Sequence, residues 1–250
     1  MSAVPNTKRV TLDTDLPYSF SKDDKQVYNR VKDIKPAIIE SAKMEMDTIS
    51  KNGLTLYFRD EDKAFTDEHK QRFVEMFFTQ YPKLIKQYNS ASTKNVTFFI
   101  DTKYNGVAEA GGGRVRFNPI WFNKNLEDLD AITHELMHLV QEYGYSNCPG
   151  WVTEGIADYV RAVHGINNIK GGWKMPDVKP EHNFKNSYRI TARFFIWITQ
   201  HYSADFIIKL DDSIRQKKYT ENTWKEMTGK TVEELWKEYT ENSAITFTYQ

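Results

Sequence analysis

The chain has 250 residues, of which 34 are lysine or arginine, 34 are aspartate or glutamate and one is cysteine. A chain of this length can bury a core of its own. Its balanced charge gives no reason to expect nucleic acid or an anionic membrane as a partner, and one cysteine excludes a framework of intramolecular disulfides.

Residues 1–50 are predicted to form an N-terminal extension or small subdomain, with a possible strand at 10–16 and mixed helical periodicity after it. The first residues lack the apolar stretch of a signal peptide. We therefore expect either a cytoplasmic protein or a mature secreted, periplasmic or cell-surface chain whose leader has been removed. No stretch approaches the roughly 18 apolar residues of a membrane span, so insertion into a membrane is not expected.

The pattern becomes clearer after residue 50. Alternating, β-rich segments predict strands at 54–58 and 96–100, and apolar residues three and four apart predict a helix at 67–88 between them. The order strand, helix, strand is typical of a crossover unit, so these elements indicate part of a small mixed sheet.

A glycine-rich segment follows, in which three glycines precede alternating residues, AEAGGGRVRF at 108–117. Glycine in a strand often marks the close approach of another backbone. One interpretation is therefore a strand at the edge of the sheet, where a further chain can pair with it. The alternative is a glycine-rich hairpin turn that leads into an ordinary strand.

An H-E-x-x-H pattern lies at His134, Glu135 and His138, in a segment with apolar residues three and four apart. This spacing predicts a helix over 129–140 that ends near Gly144. Residues four apart share one helix face, so both imidazoles can bind one zinc ion, and Glu135 can face the water in the remaining zinc position. The alternative is an amphipathic helix with two solvated histidines.

A second predicted helix, at 151–163, carries Glu154 and Asp158 four residues apart on one face. A site with two histidines needs one more protein ligand, and Glu154 can supply it. Asp158, one turn later, can accept the free ring N–H of a histidine ligand, although it is also an alternative third ligand. Cys148, between the two helices, is either a further ligand or a small packed side chain, and the complete His–His–Glu set favours packing.

The ligand set also distinguishes classes of zinc site. The longer pattern H-E-x-x-H-x-x-G-x-x-H would need glycine at position 141 and histidine at position 144. The chain has Gln141 and Gly144 instead, which excludes the three-histidine class. The class with two histidines and one glutamate remains.

The run THELMHLVQ, followed by PGWVTEGIADYVRAVHG, resembles the basic secretory protein family of plant and microbial metallopeptidases. The segments YRITARFFIWITQHYSADFIIKLDDSIRQKKY and TWKEMTGKTVEELWKEY resemble the second half of the same family, so the similarity spans about 96–239. The resemblance implies a zincin fold, peptidase activity and export from the cell. Because the chain is neutral, properties that depend on basicity are not carried over.

The remaining chain is predicted to be a long loop at 166–186 followed by helices from Ser187 onwards. In the loop, Trp173 and Met175 either line a cleft or hold the loop against the body. Thr231 and the glutamate three residues later form a capping box that opens the last helix.

The expected fold is therefore α+β and zincin-like. A small N-terminal mixed sheet and the zinc-binding helix form the upper α/β part, residues 51–145, and a mainly helical half forms the lower part, residues 146–250. The active-site cleft is expected between them.

The expected function is that of a zinc-dependent endopeptidase with one zinc ion per chain and a peptide or protein substrate. Glu135 is the expected general base. Tyr188 is the candidate donor to the oxyanion, with Arg189 or His182 as substitutes, or it is a structural aromatic residue. The residues expected to bind the substrate are those of the candidate edge strand: Gly113, Arg114, Val115, Arg116 and Phe117. The alternatives are an inactive binding or adhesion module and a metal amidase acting on a cell-wall peptide or glycoprotein.

Overall fold

The computed structural model describes residues 46–250, in which five strands and eight α-helices follow one another along the chain. The strands are β1 (Met46–Lys51), β2 (Leu54–Asp60), β3 (Asn95–Ile100), β4 (Ala108–Gly111) and β5 (Arg114–Phe117). The helices are α1 (Asp67–Gln87), α2 (Pro119–Lys124), α3 (Asp130–Gln141), α4 (Gly150–His164), α5 (Tyr188–His201), α6 (Phe206–Arg215), α7 (Thr223–Thr228) and α8 (Val232–Glu241).

The five strands form one mixed sheet in the order β1-β2-β3-β5-β4. β2 and β3 are parallel and are joined by α1, which confirms the predicted crossover unit. β2 alternates buried and partly exposed residues, so one face of the sheet packs into the core while the other meets solvent. The helices α1 and α3 pack against each other, and α3 also lies against β4. This arrangement confirms the predicted α+β fold.

The predicted boundary between residues 50 and 51 falls inside β1. This strand pairs with β2 in antiparallel register, so residues 46–50 belong to the sheet and not to a separate extension. β1 is an edge strand and nearly all its residues are exposed, which explains why it shows no apolar alternation in the sequence. The possible strand at 10–16 and the mixed periodicity after it lie outside the described residues.

The predicted edge strand at Gly113 to Phe117 is wrong. β5 lies between β3 and β4 and is paired on both sides, so β4 is the edge strand. Gly112 and Gly113 form the turn between β4 and β5, with φ of 57° and 76°. Positive φ at both positions is typical of a two-residue hairpin turn, so the glycines serve the turn and not the approach of a further chain to β5.

The helix α3 covers nearly the predicted range of 129–140, but Gly144 is not the residue that closes it. The chain leaves it at Glu142, in a left-handed conformation with φ of 42°, and not at Gly144. The end of α3 is capped by a side chain from a distant part of the chain. Arg215 donates to the carbonyl oxygens of Val140 and Gln141 at 3.1 and 3.3 Å. Its other nitrogen donates to the carbonyl of Tyr88, at the end of α1, at 2.8 Å.

The second half of the chain is mainly helical, as predicted. The helices α4 and α5 pack closely, and the predicted capping box of α8 is present, with Thr231 accepting from the backbone of Glu234. The loop before α5 contains only turns and one short 3₁₀ helix, Phe184–Asn186. Trp173 and Met175 are buried there. None of the described helices is long and apolar enough to cross a membrane.

Candidate active site

Three side chains predicted to bind zinc converge at the contact between α3 and α4. The Nε2 atoms of His134 and His138 lie 3.0 Å apart, and Oε2 of Glu154 lies 3.2 Å from the first and 3.4 Å from the second. Donor atoms about 2.1 Å from a tetrahedral ion lie about 3.4 Å from one another. The three donors therefore fit a zinc ion in both chemistry and spacing. Among the described residues this is the one group of His, Cys, Asp and Glu side chains with such an arrangement.

Asp158 holds the ring of His134 from behind. Its Oδ1 lies 2.7 Å from Nδ1 of His134, and both side chains are buried. A carboxylate can only accept this hydrogen bond, so Nδ1 carries a proton, and in the neutral imidazole that a metal binds Nε2 then keeps its lone pair. The distance supports the predicted division of roles, in which Glu154 is the ligand and Asp158 orients one.

Glu135 lies next to the three donors but is not one of them. Its side chain is buried, with only 7% of the residue exposed, and Oε2 makes no hydrogen bond within residues 46–250. Burial raises the pKa of its carboxyl, while the neighbouring His134 and His138 act in the opposite direction. A buried carboxylate oxygen without a partner costs free energy, so it is expected where a water or substrate atom binds.

The charges of the cluster depend on one another. Burial lowers the pKa of His134, but the carboxylates of Asp158 and Glu154 outweigh burial and raise it to about 10. Burial raises the pKa of Glu154, yet hydrogen bonds from the two histidines hold it well below its usual range. The lowered pKa keeps the carboxylate of Glu154 negatively charged at neutral pH, as a ligand of a cation must be.

Gly155 allows α5 to pack closely against the helices of the donor cluster. A Cβ atom at this position would lie 2.3 Å from Cγ2 of Thr191 and 3.0 Å from the ring of Phe195, both on α5. Only glycine therefore allows this approach, directly after Glu154. The N-terminus of α5, with Tyr188, is held near the cluster as a result.

Tyr188 faces His134 from a strained turn. Its ring is stacked on the imidazole at 6.1 Å between centroids and 15° between planes, while 52% of the residue remains exposed. Ser187 and Tyr188 have φ of 67° and 48°, a conformation that side chains rarely adopt. Two such residues in succession cost on the order of 1–3 kcal/mol each and are common at functional sites.

A cavity of about 1610 Å³ contains the cluster. Glu135 and Tyr188 line it, as does the whole of β4. Of the five residues predicted to bind substrate, Gly113 lines the cavity, whereas Arg114, Val115, Arg116 and Phe117 do not. Val115 and Phe117 are instead part of the buried core.

The structure distinguishes Arg189 from His182, the two alternative candidates for the role of Tyr188. Arg189 lines the cavity, but His182 does not, and its Nδ1 accepts a hydrogen bond from the backbone of Lys179 at 3.2 Å. Cys148 lies outside the donor group and packs with its sulfur 3.8 Å from the hydroxyl of Thr153.

Tyr104 and Gln141 are among the cavity residues that were not predicted. Tyr104 comes from the loop between β3 and β4, and its hydroxyl donates to the carbonyl of Ala108 at 3.0 Å. No sequence pattern marks it, because its position depends on how the loop folds. Gln141 contacts His138, with Oε1 2.7 Å from Nδ1. Its spacing of three residues from His138 puts both on one helix face and could have indicated the contact.

Comparison with known proteins gives one family match and several distant structural similarities. Among solved structures, the chain is similar to a mutant two-domain M1 zinc metallopeptidase bound to L-tryptophan, with 12% identity and a TM-score of 0.46 over 82% of this chain and 54% of that one. It is also similar to an M1 zinc metallopeptidase from Deinococcus radiodurans, with 10% identity and a TM-score of 0.43 over 82% of this chain and 52% of that one. The chain thus spans about half the length of these structures.

No curated protein sequence is significantly similar to the chain. The model of the BSP family, described as a peptidase of plants and bacteria, matches residues 43–239. The match includes both helices of the donor cluster and the helix that begins at Tyr188. Because it covers more than half of the 250 residues, the chain belongs to this family of peptidases.

Proposed function

We propose that this peptidase is a zinc-dependent endopeptidase with one zinc ion per chain, held by His134, His138 and Glu154. The observation that carries the proposal is the convergence of three donor atoms, 3.0–3.4 Å apart, beside the buried carboxylate of Glu135. When bound, zinc supplies a Lewis acid that polarises the scissile carbonyl and lowers the pKa of water toward 7.

Glu135 acts as the general base. Its Oε2 has no partner in the described part of the chain, so it is free to accept a proton from the attacking water. Burial raises the pKa of the carboxyl, which makes it a better proton acceptor than an exposed glutamate. The same carboxyl then passes the proton to the nitrogen of the leaving amine, and the carboxylate is restored.

Tyr188 donates a hydrogen bond to the oxyanion that forms on the scissile carbonyl. Burial raises the pKa of its phenol, and the nearby carboxylates of Glu154 and Asp158 raise it further, so the phenol keeps its proton at neutral pH. The strained backbone at Ser187 and Tyr188 supports this role, because it fixes the start of α5 in one conformation.

The edge strand β4 binds the substrate backbone. The register of β4 against β5 pairs Glu109 with Arg116 and Ala110 with Val115. Beside a two-residue turn, alternate pairs exchange hydrogen bonds, so Glu109 and Gly111 bond to β5 while the N–H and C=O of Ala110 point away from the sheet. An extended peptide can pair with these groups as a sixth strand.

The size of the cavity supports a polymeric substrate. Its volume of about 1610 Å³ exceeds the roughly 300–1,000 Å³ of sites for small molecules. We therefore expect cleavage within a peptide chain that extends through the cavity along β4.

The proposal is tested by metal analysis of the purified protein together with cleavage of a panel of denatured proteins. The matched control is Glu135→Gln, which changes one oxygen to nitrogen. The parent should contain about one zinc ion and cleave the panel, and the variant should keep the zinc but lose a factor of about 10²–10⁴ in rate.

A parent chain without stoichiometric zinc would overturn the metal assignment. Turnover retained in a zinc-replete Glu135→Gln variant would overturn the general base. Zinc without cleavage of any protein would favour a binding module, and zinc with hydrolysis of cell-wall peptides alone would favour an amidase.

A further inference from the structure

The side chain of Gln141 bridges the two helices of the donor cluster. It is almost fully buried, with 2% of the residue exposed. Its Oε1 lies 2.7 Å from Nδ1 of His138, and its Nε2 donates to the backbone carbonyl of Thr153 at 2.9 Å. Thr153 directly precedes Glu154 on α4. One amide thus contacts the second histidine of the cluster and the helix that carries its glutamate.

The carbonyl of Thr153 determines which way this amide points. A carbonyl oxygen only accepts hydrogen bonds, so the NH₂ group of Gln141 must face Thr153. Its oxygen then faces His138, and an amide oxygen can only accept. The proton of the imidazole must therefore be on Nδ1, which leaves the lone pair of Nε2 directed at the cluster.

Each of the two histidines therefore donates a hydrogen bond from Nδ1, but the two acceptors are different groups. Asp158 accepts from Nδ1 of His134 at 2.7 Å, and Gln141 accepts from Nδ1 of His138 at the same distance. The first acceptor is a carboxyl group, whereas the second is a neutral amide. A neutral acceptor fixes the ring without adding another carboxyl to a cluster that already contains those of Glu135, Glu154 and Asp158.

We propose that Gln141 is a positioning residue of the metal site, which fixes the ring of His138 and ties it to the helix that carries Glu154. This inference rests on the proposed function, because it needs a metal bound by both residues. Outer partners of this kind typically change metal affinity by a factor of about 10–100.

The test compares three variants of the full chain. Gln141→Met keeps the length of the side chain and removes both polar groups. Gln141→Glu keeps an acceptor for His138 but loses the donor to Thr153. The matched control is Gln80→Met, because Gln80 is a fully buried glutamine on α1 whose Nε2 donates to the carbonyl of His164 at 3.0 Å, outside the cluster.

Two quantities are measured for each variant: zinc affinity, by competition with a chromogenic chelator, and stability of the metal-free protein, by urea unfolding. Gln141→Met should lower zinc affinity about 10–100-fold. Gln80→Met should lower stability but leave zinc affinity unchanged. Gln141→Glu should recover most of the affinity, because it keeps an acceptor for Nδ1 of His138. It should not recover the stability, because it loses the contact with Thr153 and adds a buried carboxyl to the cluster.

The outcomes separate this inference from the proposed function. A parent that binds no zinc overturns the proposed metal site and the inference with it. A parent that binds zinc, with Gln141→Met binding equally tightly, overturns the inference alone. If Gln141→Glu loses as much zinc affinity as Gln141→Met, and both losses parallel the losses in stability, Gln141 has only a structural role. That result would also overturn the inference.

Discussion

The floor and the rim of the cavity are built differently. The floor is formed by α3 and α4, where Glu135 and Asp158 are buried and each histidine ring is held by a hydrogen bond. The rim is formed by β4, the edge strand of the sheet, and by Tyr188, a half-exposed phenol on a strained turn. The side chains of the floor are thus buried and held by hydrogen bonds, whereas the rim is more exposed to solvent.

The floor is tested most severely by removing one carboxylate at a time. Glu154→Ala should abolish tight zinc binding, because it removes one of three ligands. Asp158→Ala should weaken binding by a factor of about 10–100, because it frees the ring of His134 without removing a ligand. Metal analysis after dialysis against a weak chelator measures both. If Asp158→Ala empties the site while Glu154→Ala does not, the two roles are reversed.

The rim is tested next, at Tyr188. Tyr188→Phe removes one hydroxyl and little volume, so it should lower kcat by a factor of about 10²–10³ with little change in KM. Steady-state kinetics on the best peptide substrate measure the effect. The control is Tyr145→Phe, since Tyr145 is fully exposed and does not line the cavity. An unchanged kcat would make Tyr188 structural, and Arg189 the next donor to test.

A third change acts on the junction between floor and rim. Gly155→Ala inserts a methyl group where Thr191 and Phe195 leave no room, so it should cost about 1–3 kcal/mol in free energy of unfolding. Gly150→Ala, on the same helix, meets no atom within 4 Å and is the matched control. Urea unfolding compares the two variants. Equal stabilities would mean that α5 moves aside without cost.

The smallest effect is expected at the edge strand. Ala110→Pro removes one N–H that points away from the sheet, and proline is tolerated on edge strands. The loss of one hydrogen bond to substrate should raise KM by a factor of about 2–10. Ala110→Val keeps the N–H and serves as the control. If both variants give the same KM as the parent, the substrate does not pair with β4 at this residue.

The same comparison explains what could be predicted from the sequence. The floor follows from local spacing: His134 and His138 are four residues apart, as are Glu154 and Asp158, and a helix turns such spacing into a shared face. These side chains come into contact because only a short connection joins the two helices. The family resemblance was confirmed by the match over residues 43–239.

The rim could not be predicted in this way, because it depends on the order of strands. Nothing local shows that β5 lies between β3 and β4, so the segment Gly113 to Phe117 could be taken for an edge. The end of α3 was also mispredicted, since Arg215 caps it from more than 70 residues away. The strained turn at Ser187 has no glycine to mark it.

The contacts of Arg215 have a consequence for the order in which the chain can fold. This one guanidinium joins the carbonyl ends of α1 and α3, and it is itself held by the buried carboxylate of Asp211. During synthesis both histidines leave the ribosome well before Arg215 does. A growing chain therefore carries all three side chains of the donor cluster before it has the residue that joins the ends of α1 and α3. The carbonyl ends of α1 and α3 can therefore be joined through this guanidinium only after all the residues up to Arg215 have been made.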